Sequence, residues 1–480
     1  MHRRIRPSVA VVALTATAAL LAACGAPAEE QSGSITFWTP QSTPERVAAQ
    51  EAVAARFTQE TGIEVDVVPL AAADQDQALV TGAASGEVPD VILAGASQVT
   101  SWQSQGLLDT DVVQEALDAL DPATFNENAL GAVTVQDAGS DEGTAESTIA
   151  AVPSDGWVHL IAYRTDLLRE AGVEVPTTVA ELAQAATAVK KELDVTGIAL
   201  GTQSGTASGT EGIESIFQSA GCRLVSDGEV TIDSPECTEA AGLFKELRDS
   251  SVAGDYDVES ARAAYLAGDA AMLLFSTHIL DELANLDEAV PPSCEQCADD
   301  PEFLAKNSGF ITVLDPPAAS AASADSSAAD DAAPAQFGAT LAYAVPAHAN
   351  ADEARQYVEF VLGEGYADTL AVATEGRLPL RTGTPENPTE YLDAWGGLGF
   401  GPKVESSVAE VYGDDLVTAM GEGMSAVARW GQGTPDATLA GLVATQGTLA
   451  QQLDPLYRGT DPADVTRQMA ADVTALQQDQ

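Results

Sequence analysis

Short apolar runs, each followed by a longer stretch with helical spacing, recur along most of this chain. Ile35 to Trp38 reads as a first strand. Thr43 before Pro44 is a helix cap followed by proline at the first helical position, which predicts a helix running to Gly62. Ile63-Glu64-Val65-Asp66-Val67 alternates and predicts a half-exposed strand, whereas Asp90 to Ala94 is nearly all apolar, the pattern of a strand covered on both faces. Strand, helix, strand and helix in this order predict an α/β layer. Farther on, Thr178-Val179-Ala180-Glu181 has the form of a capping box, and Val179, Leu182, Ala186, Val189 and Leu193 share one helical face. A helix from Asn350 carries Ala354, Val358 and Val361 on one side, and Thr434-Pro435 and Asp461-Pro462 are start signals in a helical tail. Two stretches are expected to lack regular structure: 201–212, rich in Gly, Ser and Thr, and 315–336, a low-complexity run of Ala, Ser, Asp and Pro. Ile149 to Pro153 and Leu341 to Pro346 are apolar runs that end at a proline between two α/β blocks. They are expected to cross between lobes and to serve as a hinge.

The start of the chain adds an address. Arg3, Arg4 and Arg6 precede an apolar stretch from Val9 that closes in Leu21-Ala22-Ala23-Cys24, the three-part layout of an export signal with a lipoprotein cleavage site. The stretch falls short of the roughly 20 apolar residues needed to span a bilayer. Residues 1–23 are therefore read as a lipoprotein signal peptide, Cys24 as the acylated anchor in the membrane, and 24–33 as a polar linker. The plainer alternative is a secretory signal with a chance cysteine. The favoured reading places the protein, lipid-anchored, at the extracellular face of the cytoplasmic membrane.

With 480 residues, 45% of them apolar, the chain can bury two domains or one large one. Its 73 Asp and Glu against 21 Lys and Arg give a net charge of −52, which excludes nucleic acid as a partner. Four further cysteines lie in a compartment that permits disulfides, and local pairs, Cys222 with Cys237 and Cys294 with Cys297, are expected. The competing reading of Cys294-Glu295-Gln296-Cys297 as half of a zinc or redox site finds no second CxxC and no nearby histidine pair. No G-x-S-x-G, H-E-x-x-H or phosphate-cradling glycine loop is present, so no catalytic residue, metal or cofactor is expected.

Several motifs in order carry a resemblance: Ile35-Thr36-Phe37-Trp38; Ser104-Gln105-Gly106-Leu107-Leu108; Ala151-Val152-Pro153 followed by Tyr163; Leu167 to Val173 with Pro176; Gly268-Asp269-Ala270-Ala271-Met272; and Glu375-Gly376-Arg377-Leu378-Pro379. Together they resemble family 1 extracellular solute-binding proteins, the maltose-binding type that serves ABC importers. The resemblance covers nearly everything from Ile35 onward. It implies an α/β, two-lobed periplasmic-binding-protein-like fold with interlobe hinge strands and a helical C-terminal region. The expected N-terminal lobe covers 34–150 and 346–380, and the C-terminal lobe covers 154–342 and 385–480. It also implies a monomer that binds a small solute, an oligosaccharide or related polyol, between the lobes and presents it to ABC permease subunits. An extracellular carbohydrate-active enzyme and a solute sensor for a membrane receptor are the competing readings.

Carried over residue by residue, the resemblance points to Gln41 and Ser42 after the first strand, Ser97 and Gln98 after the buried one, and Asp155 and Trp157 after the first crossing. After Ala271-Met272, where relatives commonly present a tryptophan, come Phe275, Ser276 and His278. A sugar site needs an aromatic face for the C–H side of a ring and planar polar groups for its hydroxyls. Trp157, in a Ser-Asp-Gly-Trp stretch read as a loop, is the expected platform, and Asp155, Gln41 and Gln98 are candidate hydroxyl acceptors. Trp395, Phe400 and Trp430 in the tail are expected within reach of the cleft. Trp38 and Trp102 are read as packing.

Overall fold

The computed structural model describes residues 33–136, 147–226, 228–252, 254–317, 334–400, 404 and 406–478. The signal peptide, Cys24, most of the linker and residues 318–333 of the low-complexity stretch lie outside the described residues.

The strands are β1 (Ser34–Thr39), β2 (Glu64–Pro69), β3 (Val91–Gly95), β4 (Thr134–Gln136), β5 (Ser147–Ile149), β6 (Val152–Arg164), β7 (Val225–Ser226), β8 (Glu229–Val230), β9 (Met272–Ser276), β10 (Ser308–Ile311), β11 (Gly338–Ala344) and β12 (Leu378–Pro379). β1 runs parallel to β2 and β3, and β3 is antiparallel to β11. The 13-residue β6 belongs to two sheets at once. Its Val152–Val158 half pairs with β11 and β12, whereas His159–Arg164 pairs with β9 and β10. One sheet with its helices forms each lobe, and β6 joins them. The exchange of partners falls between Val158 and His159, later along the chain than the apolar run ending at Pro153. β11 stays in one sheet, pairing with β6 over Gly338–Tyr343 on one side and with β3 over Leu341–Ala344 on the other, so no exchange accompanies the run ending at Pro346. Pro153 has no N–H to give, and the register shifts beside it so that Ser154 is an extra residue in β6.

The strong local signals form what they predict. Thr43 accepts from Arg46 N, the helix runs Pro44–Thr61, and Gly62 closes it at φ 81°. The helix Pro462–Gln478 starts at its proline, with Asp461 accepting from Ala463 N. Thr178 caps Val179–Leu193 through Glu181 N, but the Glu181 carboxylate turns to Thr177 N and Oγ1, so only half of the expected box forms. Thr434-Pro435 does not open a helix. Its hydroxyl donates to Gly431 O and accepts from Asp436 N, making a turn, and the helix begins at Ala437.

The expectation for 201–212 needs a larger correction, because a helix, Ala207–Ser219, capped by Thr206, occupies its second half. Small residues are what allow it. A Cβ on Gly209 would lie 2.3 Å from Gln203 O, and one on Gly212 would lie 2.2 Å from Gly201 O. The helix backs directly onto its own entering loop, and close backbone packing outweighs poor helix propensity.

Both disulfides, Cys222–Cys237 and Cys294–Cys297, are formed as expected. An apolar cluster around Leu182, Phe217, Phe244 and Met469 fills the C-terminal lobe, and a small one around Ile92, Trp102 and Ala342 lies in the N-terminal lobe. Among the described residues no helix is long and apolar enough to cross a membrane.

Candidate functional site at the crossing of the lobes

Where β6 changes partners, three rings meet. The Trp157 ring centroid lies 5.4 Å from His159 and 5.9 Å from Phe337, and His159 lies 4.6 Å from Phe337. Trp157 is half-buried. The stretch read from sequence as a loop is thus the middle of β6. Arg429 stands over Phe337 with its guanidinium carbon 4.3 Å from the ring centre. Both Arg429 Nε and Nη2 reach the Glu214 carboxylate, the latter at 2.7 Å from Oε2.

Helical spacing explains the polar side of this cluster. Glu211, Glu214, Ser215 and Gln218 stand at i, i+3, i+4 and i+7 of the Ala207–Ser219 helix and so share one face. Ser215 Oγ is 2.7 Å from His159 Nδ1, and Gln218 Nε2 donates to Ala428 O. Gln336 Nε2 donates to His159 O at 3.1 Å. Burial, and next the Arg429 charge, push the His159 pKa down to about 3, so the imidazole is neutral at pH 7. Burial raises the Glu211 carboxyl above its usual range; Arg429 opposes that rise and Glu214 adds to it.

The tail segment beside this cluster also touches the N-terminal lobe. Asn128 Nδ2 donates to Ser425 O at 2.8 Å, Gln432 Nε2 to Asn128 O at 2.7 Å, and Gln136 Nε2 to Gly433 O at 2.8 Å.

A second polar group bridges the lobes on another side. Arg46 Nη1 donates to Gln41 Oε1 at 3.1 Å, and Arg46 Nη2 meets Glu375 Oε1 at 2.6 Å. His278 rests on the backbone of Gly376, where a Cβ would lie 2.0 Å from its Nε2, so only glycine admits this approach. Ser276 Oγ is 3.3 Å from His278 Nδ1. Burial lowers the His278 pKa; Glu375 opposes this and Arg46 adds to it. Asp281, on the short helix Ile279–Leu283, is pushed up to about 8, first by burial and then by Glu375, Glu282 and Asp287.

The residues singled out from sequence therefore divide. Trp157 lies in the first cluster, and Gln41, Ser276 and His278 come together in the second. Ser42 and Ser97 are exposed, each within the start of a helix or its preceding loop. Gln98 is tied back to the neighbouring helix, donating to Ala72 O and Asp76 Oδ1, the atom that also accepts from Trp102. Trp430 is half-buried and donates to Cys222 O at 3.0 Å. Four expectations meet a buried side chain with no surface for a solute. Asp155 is wholly enclosed, hydrogen-bonded by Ser154 Oγ and paired with Arg377 Nη2 at 2.6 Å. Trp395 is equally enclosed and donates to Thr374 O. Phe275 and Phe400 belong to the apolar core.

Sequence reasoning missed Glu211, Glu214, Ser215, Phe337, Arg429 and Arg46. The helical spacing of the first three was available, but the glycines among them read as loop. Among the described residues no group of His, Cys, Asp or Glu could hold a metal ion.

Comparison with known proteins agrees with this architecture. Residues 39–368 match the family model described as bacterial extracellular solute-binding protein. The periplasmic-binding protein YcjN of Escherichia coli (strain K12), named for an ABC transporter, is 25% identical over 278 residues, 58% of this chain and 63% of that one. The chain thus spans less than two thirds of that relative's length. The GacH receptor of Streptomyces glaucescens GLA.O, solved unliganded and with acarbose, superposes with a TM-score of 0.61 at 20% identity over 94% of this chain and 100% of that one. Maltose-bound MalE3 of T. maritima gives 0.63 at 18% identity over 93% and 100%. The chain belongs to the bacterial extracellular solute-binding protein family, a family of binding proteins rather than enzymes.

Proposed function

We propose that this chain is the lipid-anchored, extracellular binding component of an ABC importer, closing its two lobes over a carbohydrate or related polyol and presenting it to the permease as a monomer. The observation that carries this reading is the position of Trp157. It is a half-buried aromatic face at the point where one strand passes between the sheets, beside His159 and Phe337, with Arg429 over Phe337 and the polar face of Ala207–Ser219 bonded to His159 and Arg429. Such a place offers a ring-stacking surface beside planar hydrogen-bonding groups, and hinge motion there lets solute contacts favour the closed state. Acarbose and maltose in the two structural relatives are of the same chemical kind. Leu21-Ala22-Ala23-Cys24 supports the anchor.

The test is a thermal-shift screen over sugars and polyols with tryptophan fluorescence in parallel. A solute at about 100 times its Kd stabilises by about 2.7 kcal/mol. A saturable shift with the solute recovered intact is expected; no shift with any saccharide or polyol overturns the carbohydrate reading. For the anchor, labelled palmitate is expected in the wild-type chain and absent from Cys24→Ser.

A further inference from the structure

Charge matching around the crossing narrows the solute further, on the premise that the carbohydrate reading holds. The two arginines that border the lobe junction are already engaged, Arg46 with Glu375 and Arg429 with Glu214. His159 contributes no charge at neutral pH. Glu211 is different. It shares the helix face of Glu214 and Ser215, is half-buried, and lies within the field of Arg429, the same guanidinium that Glu214 holds directly. Two turns farther, Gln218 is 7% exposed, and with Nε2 fixed on Ala428 O its Oε1 has no donor. Gln336 Oε1, across the cluster, is likewise without one. Two carboxylates, Glu211 and Glu214, thus share the one cation Arg429, on the helix whose Ser215 reaches His159 of the ring cluster.

A neutral sugar would strip water from the Glu211 carboxylate and return only hydroxyl hydrogen bonds. A protonated amine would return charge-assisted bonds and balance the charge. An acidic sugar would meet the excess carboxylate and two arginines already paired. We infer that the solute carries a protonated amine, as in an amino-sugar-containing saccharide, and that Glu211 is the residue that selects it.

The experiment is calorimetric titration of the folded chain with four matched β-1,4 disaccharides: the glucosamine dimer, its N-acetylated form, cellobiose and digalacturonate. At pH 7 the glucosamine dimer is expected to bind at least tenfold more tightly than the N-acetylated and neutral forms, with digalacturonate weakest. Glu211→Gln is expected to bring the amine and neutral forms within about threefold of each other while leaving the unliganded Tm unchanged. Lowering the pH shifts Glu211, whose pKa burial raises against the opposing charge of Arg429, toward its neutral form, and is expected to erode the amine preference. Equal binding of amine and neutral forms by the wild type, or an amine preference that survives in Glu211→Gln, overturns the inference and leaves the carbohydrate reading standing. No binding by any of the four overturns both.

Discussion

Asp155 lies in the crossing strand and Glu211 on the helix that reaches that strand through Ser215, yet their surroundings differ in every respect that matters for function. Asp155 has no exposed surface, and Arg377, 1% exposed, answers its charge at 2.6 Å. Around that pair Tyr366 OH donates to Ser154 O and accepts from Leu380 N and Arg381 N, so β6, β12 and the helix Tyr366–Leu370 are tied at one node. Four residues along β6 the polar groups are of another kind. His159, Trp157 and Arg429, with Glu214 and Glu211 on the adjoining helix, form a half-open patch in which two carboxylates share one arginine. The sealed node holds the segments that pass between the lobes, while the open patch keeps unmet chemistry for a partner. A polar residue near a crossing is therefore not a site by position. Its partner decides, and the partner comes from far along the chain: 222 residues separate Asp155 from Arg377.

Breaking the sealed node should have the largest effect. Arg377→Met leaves Asp155 buried without its cation, and removing one member of a buried pair costs about 3–5 kcal/mol. Urea denaturation at pH 7 measures it, with Glu211→Gln as the opposite arm, expected within about 0.5 kcal/mol of wild type. A loss below about 1 kcal/mol for Arg377→Met would show that the node is not what holds the crossing.

Next in size is the Cys222–Cys237 bridge, whose 15-residue separation corresponds to about 3 kcal/mol in the chain-entropy picture. Because Cys222 O accepts from Trp430, the double Cys222→Ser/Cys237→Ser chain should lose that stability and also loosen the segment carrying Arg429. Hydrogen exchange at Ala428 to Gln432 reads the second effect. Trp157→Ala sharpens the contrast from the other side. Carbohydrate affinity should fall about tenfold, equivalent to about 1.4 kcal/mol, with Trp157→Phe keeping most of it and unliganded stability changing less than in Arg377→Met.

The sequence made the fold legible wherever one local signal was enough. Thr43-Pro44 to Gly62, the apolar Asp90 to Ala94 run and the close cysteine pairs each specify their outcome within a few residues. The site was legible only in part. Trp157 announces itself by type and position, and Gln41, Ser276 and His278 by their place after a strand, but burial of Trp395 and Asp155 depends on Thr374 and Arg377, which no local pattern pairs with them. Glu211 and Glu214 were hidden for a different reason. Gly209 and Gly212 mark a loop by propensity, yet they serve close packing of a helix against its own approach, a tertiary effect that overrides the local one.

The smallest effect separates the two polar groups at the junction by the sign of their pH dependence. His159 is held neutral, with its pKa depressed to about 3 against 6.5 unfolded, so the unfolded chain binds the extra proton. Its contribution is full above about pH 6.5 and declines as the pH falls toward 3. Asp281 is raised to about 8 against 3.8, so here the folded chain holds the extra proton. Its contribution is full below about pH 4 and is lost as the pH rises through 8, as burial and then Glu375, Glu282 and Asp287 disfavour the forming carboxylate. Asp281→Asn, whose amide oxygen can still accept from Glu282 N, should therefore gain on wild type steadily between pH 4 and 8. His159→Gln should gain on wild type in the opposite direction, from pH 7 down to 4. Urea midpoints at four pH values measure both. If the two differences move with the same slope, the two groups do not have the opposite proton balance that their surroundings dictate, and the contrast between them fails.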